Sequence, residues 1–301
     1  MRVLITGATG LIGSKLVSLC HAHHIDVSYL TTSKGKIEDN ANYKGFYWNP
    51  AEGIIDERAF EGVSTVVNLA GATISKRWTD SYKKTILESR TQTANILFET
   101  LREIDHNVGH FVSASGINIY PNSKTRLYTE ENKDIDASFL AEVVLAWEAS
   151  ADQFKALGMD VSKVRTGVVL AKEEGALPKL MQPITYGLGA SLGSGKQWQS
   201  WIHIDDIAHI YLQIIHNQWE GIYNAVAPTP VTNKKLTRKI ASILQKPIWL
   251  PNVPGFLLKL VLGEMATLVL EGQLVSSRKL EERGYRFQYY NVEGALQNLL
   301  N

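Results

Sequence analysis

The chain is poor in several features that would announce a function at once. Across 301 residues there is one cysteine, Cys20, so no intrachain disulfide and no cysteine-based zinc cluster can form. A reducing, cytoplasmic setting is expected. Neither sign of charge is in excess: 31 Lys+Arg stand against 30 Asp+Glu, a net charge of +1. That leaves no basic surplus for a nucleic-acid partner, and none is expected. Long apolar runs are also missing. The longest, Phe256 to Leu270, is broken by Lys259 and Glu264 and falls short of the roughly 18 to 20 residues a spanning helix needs. It reads as an amphipathic core helix, and no membrane partner is expected. The opening run from Arg2 to Thr6 reaches a glycine turn too soon to be a secretory signal. His21, His23 and His24 lie one and two residues apart, a spacing that does not gather them on one helical face, so no metal site is expected.

What is present is an alternation. With 45% hydrophobic residues the chain can bury a sizeable core. Short β-branched runs at Val3–Ile5, Val27–Leu30, Phe46–Trp48, Thr65–Leu69, His110–Ser113 and Val161–Arg165 alternate with helical patterns at Leu11–His21, Thr79–Glu103 and Phe139–Leu157. The sixth strand is expected to run on toward Leu170. Strand-then-helix repetition implies parallel strands with right-handed crossovers, hence an α/β fold with a doubly wound Rossmann sheet. After about residue 172 the rhythm changes. Residues 1–172 are expected to form the dinucleotide-binding domain. Residues 173–301 are expected to be mostly a smaller C-terminal, substrate-side region that returns stretches near Ile202 and Tyr223 to the core.

The strongest motif is Thr6-Gly7-Ala8-Thr9-Gly10-Leu11-Ile12-Gly13, directly after a strand and opening a helix. Gly7 permits the tight turn, Gly10 lets backbone N–H groups approach a pyrophosphate, and Gly13 lets the helix lie close to the sheet. The helix N-terminus then offers unsatisfied donors and a partial positive charge. At the end of the second strand an acidic residue would bind a ribose 2′-hydroxyl and select NAD. The run here is Leu30-Thr31-Thr32-Ser33-Lys34, with no carboxylate. Hydroxyls and a lysine suit a 2′-phosphate, so NADP (NADPH) is expected. The plainer alternative is an ordinary polar loop.

With the glycine motif, Asn68-Leu69-Ala70-Gly71 and Ser113-Ala114-Ser115 resemble the extended short-chain dehydrogenase/reductases. Arg77-Trp78 through Glu88-Ser89-Arg90, Arg165 to Leu170, and Gly193 to Asp206 narrow the resemblance. Together they are similar to an atypical branch, the NAD(P)-dependent epimerase family proteins also called cell-division-inhibitor-like epimerases. The stretches Ser277–Leu280, Gly284–Phe287 and Ala295-Leu296 are similar to that branch's C-terminal domain of unknown function. The resemblance implies a Rossmann core with an NADP-type cofactor. Gly7, Thr9, Gly10, Leu11 and Ile12 would hold the pyrophosphate, and Thr31 and Thr32 would lie by the 2′-phosphate. At Thr32 the branch often has arginine, a departure. Leu69, Ala70 and Gly71 would border the ribose side, with Ser113 beside them. Arg90 would point back at the cofactor or lie on a solvated helix face.

The resemblance breaks where catalysis should reside. Short-chain dehydrogenases usually carry Tyr-x-x-x-Lys on the helix after the fifth strand, the lysine lowering the tyrosine pKa. Those places fall on Leu140 and Val144, and the helix has no tyrosine. Ser115 occupies the place of the superfamily hydroxyl that contacts a substrate oxygen. Tyr120 and His203 are the stand-ins for the missing proton donor. Asp205 or Asp206 is expected to cap the helix that follows. Trp198, Trp201 and His203 line a pocket or pack as core. The function expected is an NADP-binding oxidoreductase or epimerase acting on a small carbonyl or sugar-like molecule. The alternative is a non-catalytic NADP(H)-binding sensor or scaffold.

Overall fold

The computed structural model describes residues 1–301. Strand β1 (Arg2–Thr6) leads through the glycine turn into α1 (Leu11–Ala22), followed by β2 (Asp26–Thr31), β3 (Tyr43–Asn49) and β4 (Val63–Asn68). The long α2 (Asp80–Glu103) starts at Thr79, whose hydroxyl accepts from Tyr82 N at 3.2 Å, and connects to β5 (His110–Gly116). Then come α3 (Phe139–Asp152), β6 (Asp160–Thr166), α4 (Ala176–Thr185), α5 (Ile204–Asn217) and β7 (Gly221–Ala225). These seven strands are parallel, in the order β7-β6-β5-β4-β1-β2-β3. Two-residue strands at Asp39–Asn40 and Ile54–Ile55 edge β3 antiparallel. No helix is long and apolar enough to cross a membrane.

Residue alternation assigns the two faces. Val3 and Ile5 of β1 point with Val27, Val67 and Val112 toward α1 and α5, burying Leu16, Cys20, Ile207, Ile210 and Ile214. Leu4 points the other way, with Val66, Phe111 and Val161, toward α2 and α3. Each fully buried aliphatic side chain contributes roughly 1.5–3 kcal/mol, so the crossover helices are held by burial rather than by propensity.

Two expectations need correction. The sixth strand does not continue to Leu170. At Gly167 the chain leaves the main sheet: Gly167 N donates to Ala225 O at 3.1 Å, and Val168 N to Ser200 O at 2.9 Å. Val168–Leu170 then pair in parallel with Trp201–His203. A β-carbon on Gly167 would stand 2.2 Å from Ser200 O, so only glycine allows this change of partner. The run Phe256–Leu270 is likewise no core helix. It divides into α7 (Gly255–Leu262), a tight turn, and a single helical turn α8 (Thr267–Leu270), and α7 buries none of its residues. The C-terminal lobe is completed by α6 (Asn233–Ile243) and two final helices, Arg278–Glu282 and Val292–Leu300. Leu177, Trp201, Leu236, Ile240 and Leu296 form its own small core.

Candidate dinucleotide site and the network behind it

The strand order reverses at β1, whose neighbours are β2 and β4. In an open α/β sheet that switch point opens a crevice at the carboxyl ends of the strands. Gly7 takes φ +68°, and a β-carbon there would lie 3.1 Å from Ala70 N and from the Leu69 carbonyl. A β-carbon on Gly13 would lie 2.1 Å from Gly7 O, so the helix approaches its own turn too closely for any side chain. The two loops are stitched by Thr6, whose hydroxyl donates to Asn68 Oδ1 at 2.6 Å and accepts from Leu69 N and Ala70 N at 3.1 Å. Gly10 begins α1 without a side-chain cap, and no acid stands in the first turn. Thr9 and Gly10 are exposed, with Leu11 and Ile12 half-buried beside them.

Asn68 Nδ2 is buried with no protein partner, an orphaned donor at the root of the crevice. Uncapped N–H groups, a cradle without a β-carbon and this free amide fit a dinucleotide pyrophosphate. At the outer end Thr31 is buried and its hydroxyl accepts from Ser33 N at 3.2 Å. Thr32, Ser33 and Lys34 are exposed, with Lys34 Nζ 5.0 Å above the Tyr47 ring.

Arg90 does not lie on a solvated helix face. It is buried against the loop after β4: a β-carbon on Gly71 would come within 3.3 Å of its Cζ. It donates to Ile86 O at 2.8 Å and stacks on Trp147 at 4.9 Å. No carboxylate pairs with it, and burial draws its pKa down to about 10. Beside it the Ser89 hydroxyl accepts from Ala72 N at 2.9 Å. Ser113 is buried and donates to Ala114 O at 2.9 Å.

Ser115 and Tyr120 meet in one buried network that sequence reading missed. Ser115, Arg165 and Asn224 occupy matched positions on β5, β6 and β7. Ser115 donates to Glu148 Oε1 at 2.6 Å. Arg165 grips the same carboxylate with Nε and Nη2 at 2.7 and 2.8 Å. Its Nη1 donates to the Tyr120 hydroxyl at 2.8 Å, and that hydroxyl donates to Asn224 Oδ1 at 2.9 Å. Burial would lower the Arg165 pKa, but the hydrogen bonds and charge of Glu148 outweigh it and hold the guanidinium more firmly protonated. Tyr120 is fully buried and stacked on Tyr128, and burial raises its pKa against the opposing pull of Arg165. As placed, the phenol has no open path to a ligand. Glu148 lies one turn beyond Val144, so Leu140, Val144 and Glu148 share a helical face. Leu140 packs with Trp78 and Ile86, and Val144 with Ile117 and Tyr120.

His203 stands apart from this network. It is 1% exposed, stacked on Tyr289 at 3.7 Å between ring centroids, with Nδ1 accepting from Asp205 N at 3.0 Å. It is therefore His203, and not Asp205 or Asp206, that caps α5. Burial depresses its pKa against the charges of Asp205 and Asp206. Asp205 pairs with Lys15 at 2.7 Å. Asp206 is wholly buried and accepts from Tyr285, Gln288 and Tyr289. Trp201 is core, its indole N–H on Thr229 O at 2.9 Å, and Trp198 donates to Lys124 O at 2.8 Å. Sequence hints of the network did exist: Glu148 in the apolar run of α3, and Arg165 beside Val164 in β6.

The parallel sheet, its switch point and the stitched glycine loop define a Rossmann dinucleotide-binding protein of the short-chain dehydrogenase/reductase type. Residues 3–225 match the NAD dependent epimerase/dehydratase family, and the chain belongs to it. Residues 253–299 match a domain of unknown function (DUF1731), so the resemblance read from the motifs extends to the C-terminal lobe. The chain is 36% identical over 303 residues to an epimerase family protein of Staphylococcus aureus strain MRSA252, covering 100% of this chain and 99% of that one. Among solved structures it is similar to the human epimerase family protein SDR39U1 (isoform 2) with NADPH. That match has a TM-score of 0.85 and 30% identity, and covers 99% of each chain. A nucleoside-diphosphate sugar epimerase from Corynebacterium glutamicum matches with a TM-score of 0.79 and 29% identity, over 100% of this chain and 58% of that one.

Proposed function

We propose that this protein is an NADP(H)-dependent oxidoreductase or epimerase of the cytoplasm, acting on a small carbonyl or sugar-like molecule. The observation that carries the cofactor choice is the end of β2, where Thr31 to Lys34 offer hydroxyls and an amine and no carboxylate. The NADPH in the human relative's structure supports the same reading. Gly7, Gly10 and the first turn of α1 would hold the pyrophosphate, with Thr31, Thr32, Ser33 and Lys34 on the 2′-phosphate. Leu69, Ala70 and Gly71 would border the ribose, and Arg90 would set a positive field behind them. When bound, the nicotinamide supplies hydride chemistry. Ser115 would contact the substrate oxygen: because its proton is committed to Glu148, its lone pairs are left to accept from a substrate hydroxyl. Glu148 is then a positioning residue. The buried Cys20 thiol, its pKa pushed up to about 12 by burial, is inert and suits a reducing compartment.

At equal concentration NADPH should raise the melting temperature more than NADH, since a ligand stabilises according to its affinity for the folded state. Gly10→Asp should abolish both shifts, because its carboxylate would occupy the phosphate's place. Equal shifts with the two cofactors would remove the NADP preference. One observation favours a second reading, an NADP(H) sensor: Leu140 and Val144 stand, packed and apolar, where proton-transfer groups are expected. Tight NADPH binding with no turnover across a panel of carbonyl compounds and sugars would select it. Turnover that drops in Ser115→Ala at unchanged cofactor affinity would select the enzyme.

A further inference from the structure

Helix α7 is apolar and uncovered. Phe256, Leu257, Leu260 and Val261 follow the spacing of a single helical face, and Phe256, Leu260 and Val261 are 70%, 75% and 69% exposed. Trp249, 68% exposed, stands on the segment leading into the helix, with its indole N–H on Gly187 O at 3.1 Å. Tyr186 and Leu188, on either side of that carbonyl, are exposed as well. Soluble monomers rarely leave so concentrated a set of large apolar side chains in water without a use for it.

The segment that carries this face has charge of one sign, and the first acid after it, Glu264, pairs with Lys83. From Gly221 to Gly263 the chain carries Lys234, Lys235, Arg238, Lys239, Lys246 and Lys259 and no Asp or Glu, in a protein whose net charge is only +1. Of these six cations only Lys239 is ion-paired, with Glu293. Lys234, Lys235 and Arg238 line one furrow on the outer side of α6. The Gly195 turn joins that furrow to the root of α7: a β-carbon on Gly195 would lie 3.1 Å from Lys234 Cβ and 3.7 Å from Asn252 Nδ2.

We propose that this face attaches the protein peripherally to an anionic phospholipid surface. An aliphatic and aromatic stripe on a short helix can enter the boundary between headgroups and acyl chains, and flanking lysines and arginines then meet anionic headgroups. Such attachment needs no spanning run, which is why the lack of one says nothing against it. Charge argues against a second copy as the occupant. A two-fold contact through this face would bring two cationic rims together, with no acid in the segment to answer them.

The test is cosedimentation of the full chain with vesicles of phosphatidylcholine alone or mixed with phosphatidylglycerol. Binding is expected to the mixed vesicles, to be weak on phosphatidylcholine, and to fade at high salt. Replacing Lys234, Lys235 and Arg238 together by glutamine should weaken it about a hundred-fold. Leu260→Ser with Val261→Ser should weaken it at any salt concentration. All five positions are solvent-facing, and an unchanged NADPH-induced melting shift would show that the variants fold. Failure to bind the mixed vesicles overturns the proposal. So does a dimer by light scattering that Leu260→Ser dissolves.

Discussion

Ser115 and Glu148 are joined by a 2.6 Å hydrogen bond from β5 to α3, so the serine near the end of β5 belongs to a buried ion-pair network. The network spans β5, β6 and β7 at one level, and the Glu148 carboxylate neutralises Arg165 inside the protein.

Glu148→Gln should therefore be more damaging than Ser115→Ala. It leaves the Arg165 guanidinium buried without a counter-charge, a loss of roughly 3–5 kcal/mol for a broken buried pair. Ser115→Ala removes one hydrogen bond to a charged acceptor, worth roughly 1.5–3 kcal/mol. Replacing Glu148 and Arg165 together by methionine should cost less than the sum of the two single changes, because no charge is then stranded. Urea unfolding of Glu148→Met, Arg165→Met and the double variant, beside Glu148→Gln and Ser115→Ala, measures this. Additive losses would mean the pair is not coupled.

The same contrast explains what could be read from the chain alone. The dinucleotide turn is largely a local constraint: Gly7 is required by its own φ of +68° and Gly13 by the Gly7 carbonyl earlier in the same turn, so their spacing carries the geometry. Thr6 with Asn68, and Glu148 with Ser115 and Arg165, are long-range pairs. Composition marks such residues as polar members of apolar segments but cannot name their partners. The run from Phe256 failed for a related reason. An apolar helical face looks the same in sequence whether another element covers it or nothing does, and here α7 projects outward. Val168–Leu170 failed because Gly167 reads as a strand interruption of no consequence until Ser200 is seen packed against it.

Acid should find the buried imidazole of His110. His110 is 1% exposed, with Nε2 2.7 Å from the Ser162 hydroxyl, and burial brings its pKa down to about 4 while Asp160 pulls the other way. In the unfolded chain an imidazole titrates near ~6.5. Between those two values the unfolded chain takes up a proton that the native protein refuses. The stability contribution is therefore complete above about pH 6.5 and is lost as the pH falls toward 4. The loss at the acid end is at most roughly 3 kcal/mol. His110→Asn should flatten this part of the profile. Denaturant-derived stabilities at pH values on either side of the window, taken for both proteins, check it: a wild-type-minus-variant difference that stays constant would refute the assignment.

Asp206 ties the end of the chain to the core, and its removal should be felt there first. It lies in the opening turn of α5, where the helix dipole favours a carboxylate. Oδ1 accepts from the Tyr285 hydroxyl and from Gln288 N, both at 2.8 Å, and Oδ2 from Tyr289 N at 3.0 Å. Burial, together with that negative charge, raises the Tyr285 pKa, so the phenol stays a donor. Asp206→Ala strands two backbone N–H groups, each costing roughly 1–3 kcal/mol when buried without a partner, while the Tyr285 phenol keeps the backbone carbonyl of residue 206 at 3.0 Å. Asp206→Asn keeps one acceptor oxygen and should lose about half as much. The loss should also be local, because Tyr289 stacks on His203 and the C-terminal helix Val292–Leu300 follows directly. Hydrogen exchange should quicken across residues 285–300 in Asp206→Ala while β1, β4 and β5 keep their protection. Equal loss of protection in those strands would mean that Asp206 supports the whole sheet, and no change at the C-terminus would mean that the carboxylate does not hold that segment at all.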